Sequence, residues 1–248
     1  KCFILIPEIN AGSLANVAFE WNGTTPTGTH TIIASVATFN SLERDYNNND
    51  ANTTITVNSE NLISSCQVIT VSGSYSLSNN LTITTLQNNN CIEIQANNVV
   101  FDCKGKSIKG SGAAWAGTNA FFISSNNSVI KNCVLSDMGR GVATGGVNNL
   151  VLSNTIYNMW EGINAAGYYS TYENNTVFDN RVSEGRAFTI WWGPSGHIVR
   201  GNKFTNSNYG IDLGFCGGGN PFPCITNHTF YNNYIAGNTV NARDFAGY

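Results

Sequence analysis

A bulky apolar residue, an Asn three places on, and a second apolar residue two beyond that return through the second half of this chain. The central residues are Asn132, Asn154, Asn175, Asn202 and Asn233, at spacings of 22, 21, 27 and 31. Before them stand Val129, Val151, Tyr172, Val199 and Phe230; after them stand Val134, Ile156, Val177, Phe204 and Ile235. A period of roughly 20–30 residues with short apolar runs is the arithmetic of a solenoid. One coil cannot bury its own apolar side, so successive coils must stack. Each unit carries a second apolar strand: AFFIS from 120, GVATG from 141, GINAA from 162, AFTIWW from 187 and GIDLG from 210. Alternation at period two predicts Val, Ile and Phe turned inward. The Asn is expected where the chain bends, because it tolerates left-handed backbone angles and bonds local backbone. Aligned Asn side chains are expected to bond to one another in a ladder that fixes register.

A helical reading fails. Gly, Asn, Ser and Thr are dense through the region and are neutral or poor in helix interiors, and no stretch keeps a 3.6-residue period for three turns. Longer insertions at 179–185 and 216–224 are expected to project as loops.

The segments NNCIEIQANNVVFDCKGKSIKGSG (89–112), NNSVIKNC and ENNTVFDN resemble the right-handed parallel β-helix repeat family, in its copper-periplasmic-protein-like and archaeal surface versions. The resemblance covers about residues 64–240. It implies an all-β chain, a right-handed parallel β-helix solenoid over 59–248. It leaves function open, because the family includes lyases, hydrolases, epimerases, adhesins and plain scaffolds. Residues 1–58 differ. NVAFEWNG (16–23), GTHTIIASVATFN (28–40) and NTTITVN (52–58) read as three antiparallel strands. They resemble the last strands of a CARDB domain, a partial immunoglobulin-like β-sandwich, with Ala37 where that family usually has Asp and with the leading strands missing. SENLISSCQVITVSG (59–73) is the expected junction.

Half a sandwich leaves strand edges open, an invitation to pairing. Three outcomes are open: a fragment of a longer protein, a half-domain packed on its own coil, or a strand supplied by a neighbouring subunit. KCFILIPEI is extended and apolar enough to be such a donor strand, and exchange of that kind builds filaments. The apolar start lacks a nearby cleavage site and there is no initiating Met, so a processed or excised piece is expected.

Charged residues make up only 11% of the 248, with a net charge of -3. About 25% is ordinary. Without an electropositive track, nucleic acid is not an expected partner. The polar surface is built from Asn, of which there are 38, with Ser, Thr and Gly. Six N-x-S/T sequons, at Asn22, Asn52, Asn80, Asn126, Asn174 and Asn227, mark candidate N-glycan sites on an exported, extracellular or cell-surface chain. Seven cysteines offer three candidate disulfides, Cys66 with Cys91, Cys103 with Cys133 and Cys216 with Cys224, leaving Cys2. Their spacings match no zinc or iron–sulfur pattern. No metal or cofactor is expected.

For chemistry, the candidate carboxylates are Asp102, Asp137, Glu161, Asp179, Glu184 and Asp212. Glycoside hydrolysis needs two of them about 5–9.5 Å apart. Glu161 and Asp212 lie on several-coil spacing, roughly 10 Å or more at about 4.8 Å per coil. Arg181 and Arg186 stand beside the loop acids as pairing partners. Ser195, in GPSGH, lacks nucleophile-elbow spacing, and His30, His197 and His228 are far apart in sequence, the last two at matching repeat positions. Trp160, Trp191 and Trp192 are candidate sugar or subunit contacts, with Tyr168 nearby, since one Trp of the WW pair is expected in the core and the other outside. The sequence therefore points to a non-enzymatic structural subunit of a glycosylated surface assembly, self-associating by strand addition. The competing reading is a carbohydrate-binding or polysaccharide-degrading β-helix.

Overall fold

In the computed structural model, residues 28–35, 50–57, 59–84, 90–112, 117–181, 184–190, 196–214 and 227–244 are described. The chain divides into two compact units, Lys1–Asn58 and Ser59–Tyr248.

In the first unit, Gly28–Ser35 pairs antiparallel with Asp50–Val57, placing Ile32 opposite Thr53 and Ile33 opposite Asn52. The expected strand at 16–23, Ala37, Cys2 and Asn22 fall outside the described residues.

The second unit is a parallel β-solenoid with three faces. Among the described residues, two faces are 8-stranded sheets and the third is 7-stranded. The first face carries the longest strands, including Asn90–Ile94, Asn119–Ile123, Arg140–Thr144, Glu161–Ala165, Arg186–Ile190 and Tyr209–Leu213. The second face is made of short strands such as Val129–Lys131, Leu150–Leu152 and Thr171–Glu173. The third contains Val134–Ser136, Thr155–Tyr157 and Thr176–Phe178. The solenoid begins inside the expected junction, because Asn61–Ile63 and Gln67–Ile69 already pair with later coils.

Register stacks like on like. Phe121, Val142, Ile163, Phe188 and Ile211 form one inward column of the long-strand sheet. Phe101, Ile130, Val151, Tyr172 and Val199 form the column of the second face. Ile108, Leu135, Ile156, Val177 and Phe204 form that of the third. All of these but Ile211 are fully buried. Each such side chain contributes about 1.5–3 kcal/mol of hydrophobic stabilisation. The second residue of the long strands is small, as in Ala120, Gly141, Gly162, Ala187 and Gly210, and at the glycines the backbone of the next coil approaches too closely for a Cβ. A Cβ on Gly141 would lie 2.6 Å from both Gly162 O and Ile156 Cγ2.

The expected Asn repeat needs one correction. Val129 pairs with Leu150, and Ile130 with Val151. The first unit is therefore one residue out of register as aligned on Asn132, and Cys133 occupies the position of Asn154. Buried Ile130 and Leu135, not half-buried Val129 and Val134, fill the core. The two duties expected of one Asn are also divided between neighbours. Asn132, Ser153, Asn174 and Asn232 take the left-handed bend, with φ of 55, 55, 54 and 55°, and Gly201 takes it at 65°. The following residue turns inward and builds the ladder. Asn154, Asn175, Asn202 and Asn233 each accept, on Oδ1, the backbone N–H of the preceding coil's member, at 2.9–3.0 Å. Their Nδ2 groups donate back to Ile130, Val151, Tyr172 and Val199 carbonyls.

Two further ladders run along the other corners. At one, Ser128 N–H bonds Asn149 Oδ1, Asn149 N–H bonds Ser170 Oγ, Ser170 N–H bonds His197 Nδ1 and His197 N–H bonds His228 Nδ1, at 2.8–3.1 Å. At the other, Met138 N–H meets Met159 Sδ, Met159 N–H meets Asn180 Oδ1, Asn180 N–H meets Ser207 Oγ and Ser207 N–H meets Asn238 Oδ1. A corner residue cannot pair in a sheet, and a buried N–H without a partner is costly. The ladders supply that partner coil by coil. Where the Asn ladder stops at Cys133, a disulfide to Cys103 continues the link, and Cys66 is joined to Cys91 in the first coils.

Candidate functional site

The outer face of the long-strand sheet collects the charged and aromatic side chains. In parallel register, the first residues of successive strands stack as Asn90, Asn119, Arg140, Glu161, Arg186 and Tyr209. The fourth residues stack as Glu93, Phe122, Ala143, Asn164, Thr189 and Asp212. Two columns of side chains therefore run along the axis on one surface.

Ion pairs tie the columns together. Arg140 Nε donates to Glu161 Oε2 at 2.6 Å, and Asn164 Nδ2 donates to the same oxygen at 3.1 Å. Arg186 Nε donates to Asp212 Oδ2 at 2.5 Å, while Arg243 grips both oxygens of Asp212 at 2.8 and 2.7 Å. Asp212 is fully buried and Arg186 is 3% exposed, so this cluster is charge-assisted and shielded from water. The Asp212 carboxylate in turn holds the Arg243 guanidinium charged, its pKa raised above the usual arginine value. Aromatic rings are interleaved. Arg140 and Arg186 sit 5.5 and 5.1 Å from the centroid of Trp160, and Arg186 and Arg243 sit 5.8 and 3.8 Å from that of Tyr209. These are cation–π distances.

At the N-terminal side of this cluster a groove of about 440 Å³ opens. Asn119, Phe122, Arg140, Ala143, Trp160, Glu161 and Asn164 line it. Phe122 and Ala143 give it an apolar floor; Asn119, Arg140, Glu161 and Asn164 give it planar polar walls.

Trp160 lies at this groove, half-buried, in contact with arginines from the coil before and the coil after. Trp191, Trp192, Ser195, Cys216 and Cys224 fall outside the described residues. Glu161 and Asp212 share the face but stand two strands apart, with Arg186 between them. The remaining candidate acids serve turns. Asp102 accepts from Asn132 Nδ2 and Lys104 N–H and pairs with Lys131; burial raises its pKa, and these bonds and that charge carry it below the usual carboxylate value. Asp137 bonds Asn158 and Ser136. Asp179 and Glu184 are exposed turn residues with φ of 56 and 52°. Glu184 pairs with Arg186, and Arg181 bonds Asn206 O.

Of the sequon residues, Asn52, Asn80, Asn174 and Asn227 are exposed. Asn126 is half-buried, and its Oδ1 accepts Val147 N–H. Sequence reasoning missed Asn119, Arg140, Asn164 and Arg243. The signal lay in a column: NAFFI, RGVAT, EGINA, RAFTI and YGIDL, aligned, put a polar, charged or Tyr residue first each time.

Among the described residues, no group of three or more His, Cys, Asp or Glu converges as metal ligands. Four cysteines are spent as disulfides. The Nδ1 atoms of His197 and His228 accept backbone N–H groups, and the Met159 sulfur does the same.

In comparison with known proteins, the family model described as periplasmic copper-binding protein (NosD) matches residues 59–247. No curated protein and no solved structure gives a significant match. The matched span is the whole solenoid, and the disulfides Cys66–Cys91 and Cys103–Cys133 fit an oxidising compartment outside the cytoplasm. On the strength of that match, this chain is a member of the NosD family of exported parallel β-helix proteins.

Proposed function

We propose that the chain is a non-catalytic structural module of an extracellular, N-glycosylated surface assembly. The observation that carries this reading is the state of the acids on the most elaborated face. Asp212 is enclosed by Arg186 and Arg243, and Glu161 by Arg140 and Asn164. A hydrolase's acid pair must reach a shared glycosidic bond from two sides. Here an arginine strand stands between the two acids, and each is bonded to a cation. The copper named in the family's description does not fit the donors of the described residues, so no step is assigned to it.

Self-association by strand addition is part of the proposal. Tyr231 and Tyr234 stand exposed on the strands Thr229–Tyr231 and Tyr234–Ala236, and exposed aromatics suit contact with a second chain. The glycans would sit on Asn174 and Asn227 at exposed corners. Negative-stain electron microscopy and intact-mass analysis of native material test this together. Regular filaments carrying glycan mass are expected; unglycosylated single rods that cleave polysaccharides would overturn it.

A second reading, carbohydrate binding without cleavage, is favoured by the groove at Trp160, whose apolar floor and planar polar walls suit a sugar ring.

A further inference from the structure

One atom in the groove has no partner among the described residues. Asn119 is 6% exposed, and its Nδ2 donates to Asn90 Oδ1 at 2.6 Å. That bond fixes which way the amide points. Its Oδ1 is buried and receives no hydrogen bond from the described residues, although the residue lines the groove. A buried acceptor left empty is unusual in a native protein and points to a missing donor. Across the groove, Glu161 Oε2 takes both Arg140 and Asn164, which leaves Oε1 as a second acceptor. Arg140 uses Nε on Glu161 and keeps its terminal nitrogens as donors. The Arg140 and Glu161 charges cancel, so the site has no net charge to offer an anion. Phe122 and Ala143 lie between these groups as an apolar floor.

We infer that the groove binds a neutral saccharide, with Asn119 Oδ1 and Glu161 Oε1 accepting from two ring hydroxyls and Arg140 donating to a third. A hydroxyl-bearing ring meets all three demands at once. It donates to two acceptors and accepts from a cation already neutralised, and its C–H face covers Phe122. A carboxylated sugar meets the Asn119 and Glu161 oxygens with like polarity and is disfavoured. The volume, about 440 Å³, lies within the roughly 300–1,000 Å³ of small-ligand sites. This inference rests on the carbohydrate-binding reading and adds the ligand class and the recognising atom.

The test is a glycan array carrying neutral and uronate oligosaccharides, probed with the full chain, followed by calorimetry on the retained glycans. Neutral glycans are expected to bind. Asn119→Leu removes the orphan acceptor at similar volume and is expected to weaken binding roughly tenfold, the usual value of one such hydrogen bond. Phe122→Ser, on the solvent side of the sheet, is a second variant that leaves the core untouched and is expected to weaken it similarly. Retention of uronates alone would overturn the neutral-sugar assignment while leaving carbohydrate binding standing. Neutral-glycan binding unchanged in both variants would overturn the assignment to this groove. Binding of no glycan at all would overturn both.

Discussion

Asn175 and Asn174 are neighbours in sequence with opposite expected consequences. Asn175 is 1% exposed. Its Oδ1 is the acceptor for Asn154 N–H and Asn154 Nδ2, both at 3.0 Å, and its Nδ2 donates to Val151 O at 2.8 Å and Asn202 Oδ1 at 3.0 Å. In Asn175→Ala, the Asn154 backbone N–H loses its acceptor and the Val151 carbonyl loses a donor. The Asn202 amide oxygen still receives the Asn175 N–H, and Asn154 Nδ2 still reaches Ile130 O. One orphaned buried donor costs about 1–3 kcal/mol, the carbonyl about 1, and the small cavity about 1, so the loss is roughly 3–5 kcal/mol. For a unit of this size that lowers Tm by about 10 °C. Asn175→Ser retains an acceptor of the kind Ser170 and Ser207 use at the other corners and recovers about half of the loss. Asn174 is exposed, at φ 54°, and its Oδ1 lies over the Cα of Gly201. Asn174→Gly is expected to stay within about 0.5 kcal/mol of the parent. Urea unfolding of all three variants, followed by circular dichroism, checks the series. Equal losses for Asn175→Ala and Asn174→Gly would refute the ladder argument.

Acidity provides another test. His197 is buried, and burial first, then the charge of His228, hold its pKa down at about 4. The unfolded chain takes up that proton near pH 6.5, before the folded one does. The stability of the neutral form is therefore complete above pH 6.5 and drains away as pH falls toward 4, by about 3 kcal/mol; His197→Asn, which keeps a ladder acceptor, should flatten that part of the melting-versus-pH curve. Gly162→Ala sets a Cβ against Val177 Cγ1 and 2.6 Å from Ala187 O. Overpacking of this kind costs about 1–3 kcal/mol, read by thermal melting. Opening the Cys103–Cys133 bond, which joins residues 30 apart, in a Cys103→Ser/Cys133→Ser double variant should cost about 3–4 kcal/mol on the loop-entropy scale, seen as a lower urea midpoint than the parent's with Cys66–Cys91 left intact.

The solenoid was legible because stacking forces like residues onto like positions, and the period therefore survives in the one-dimensional string. Tyr172, Val199 and Phe230 return at the same point because each lies on the last. The misregistered unit at Asn132 shows the limit. Asn serves both the bend and the ladder, and where Cys133 replaces the ladder Asn, the remaining Asn draws the alignment one residue early. The Asn119 and Arg140 positions were not legible for a different reason. They act across coils, and their partners, Asn90 and Glu161, are 29 and 21 residues away. Only the register brings them together. His197 and His228 stand at matching repeat positions in the sequence, and in the coil they stack at one corner. Their use as ladder acceptors depends on which ring nitrogen faces the preceding coil, and sequence does not carry that information.

Side-chain ladders close the corners of the coil and so hold it as a rigid scaffold. Residue-resolved hydrogen exchange at the backbone amides of Asn154, Asn175 and Asn202 tests this most directly, because each of those N–H groups bonds a carboxamide of the next coil. Protection equal to that of the flanking strand amides of Val151 and Tyr172 is expected, with exchange only through global unfolding. Exchange at the corner amides orders of magnitude faster than in those strands would contradict it.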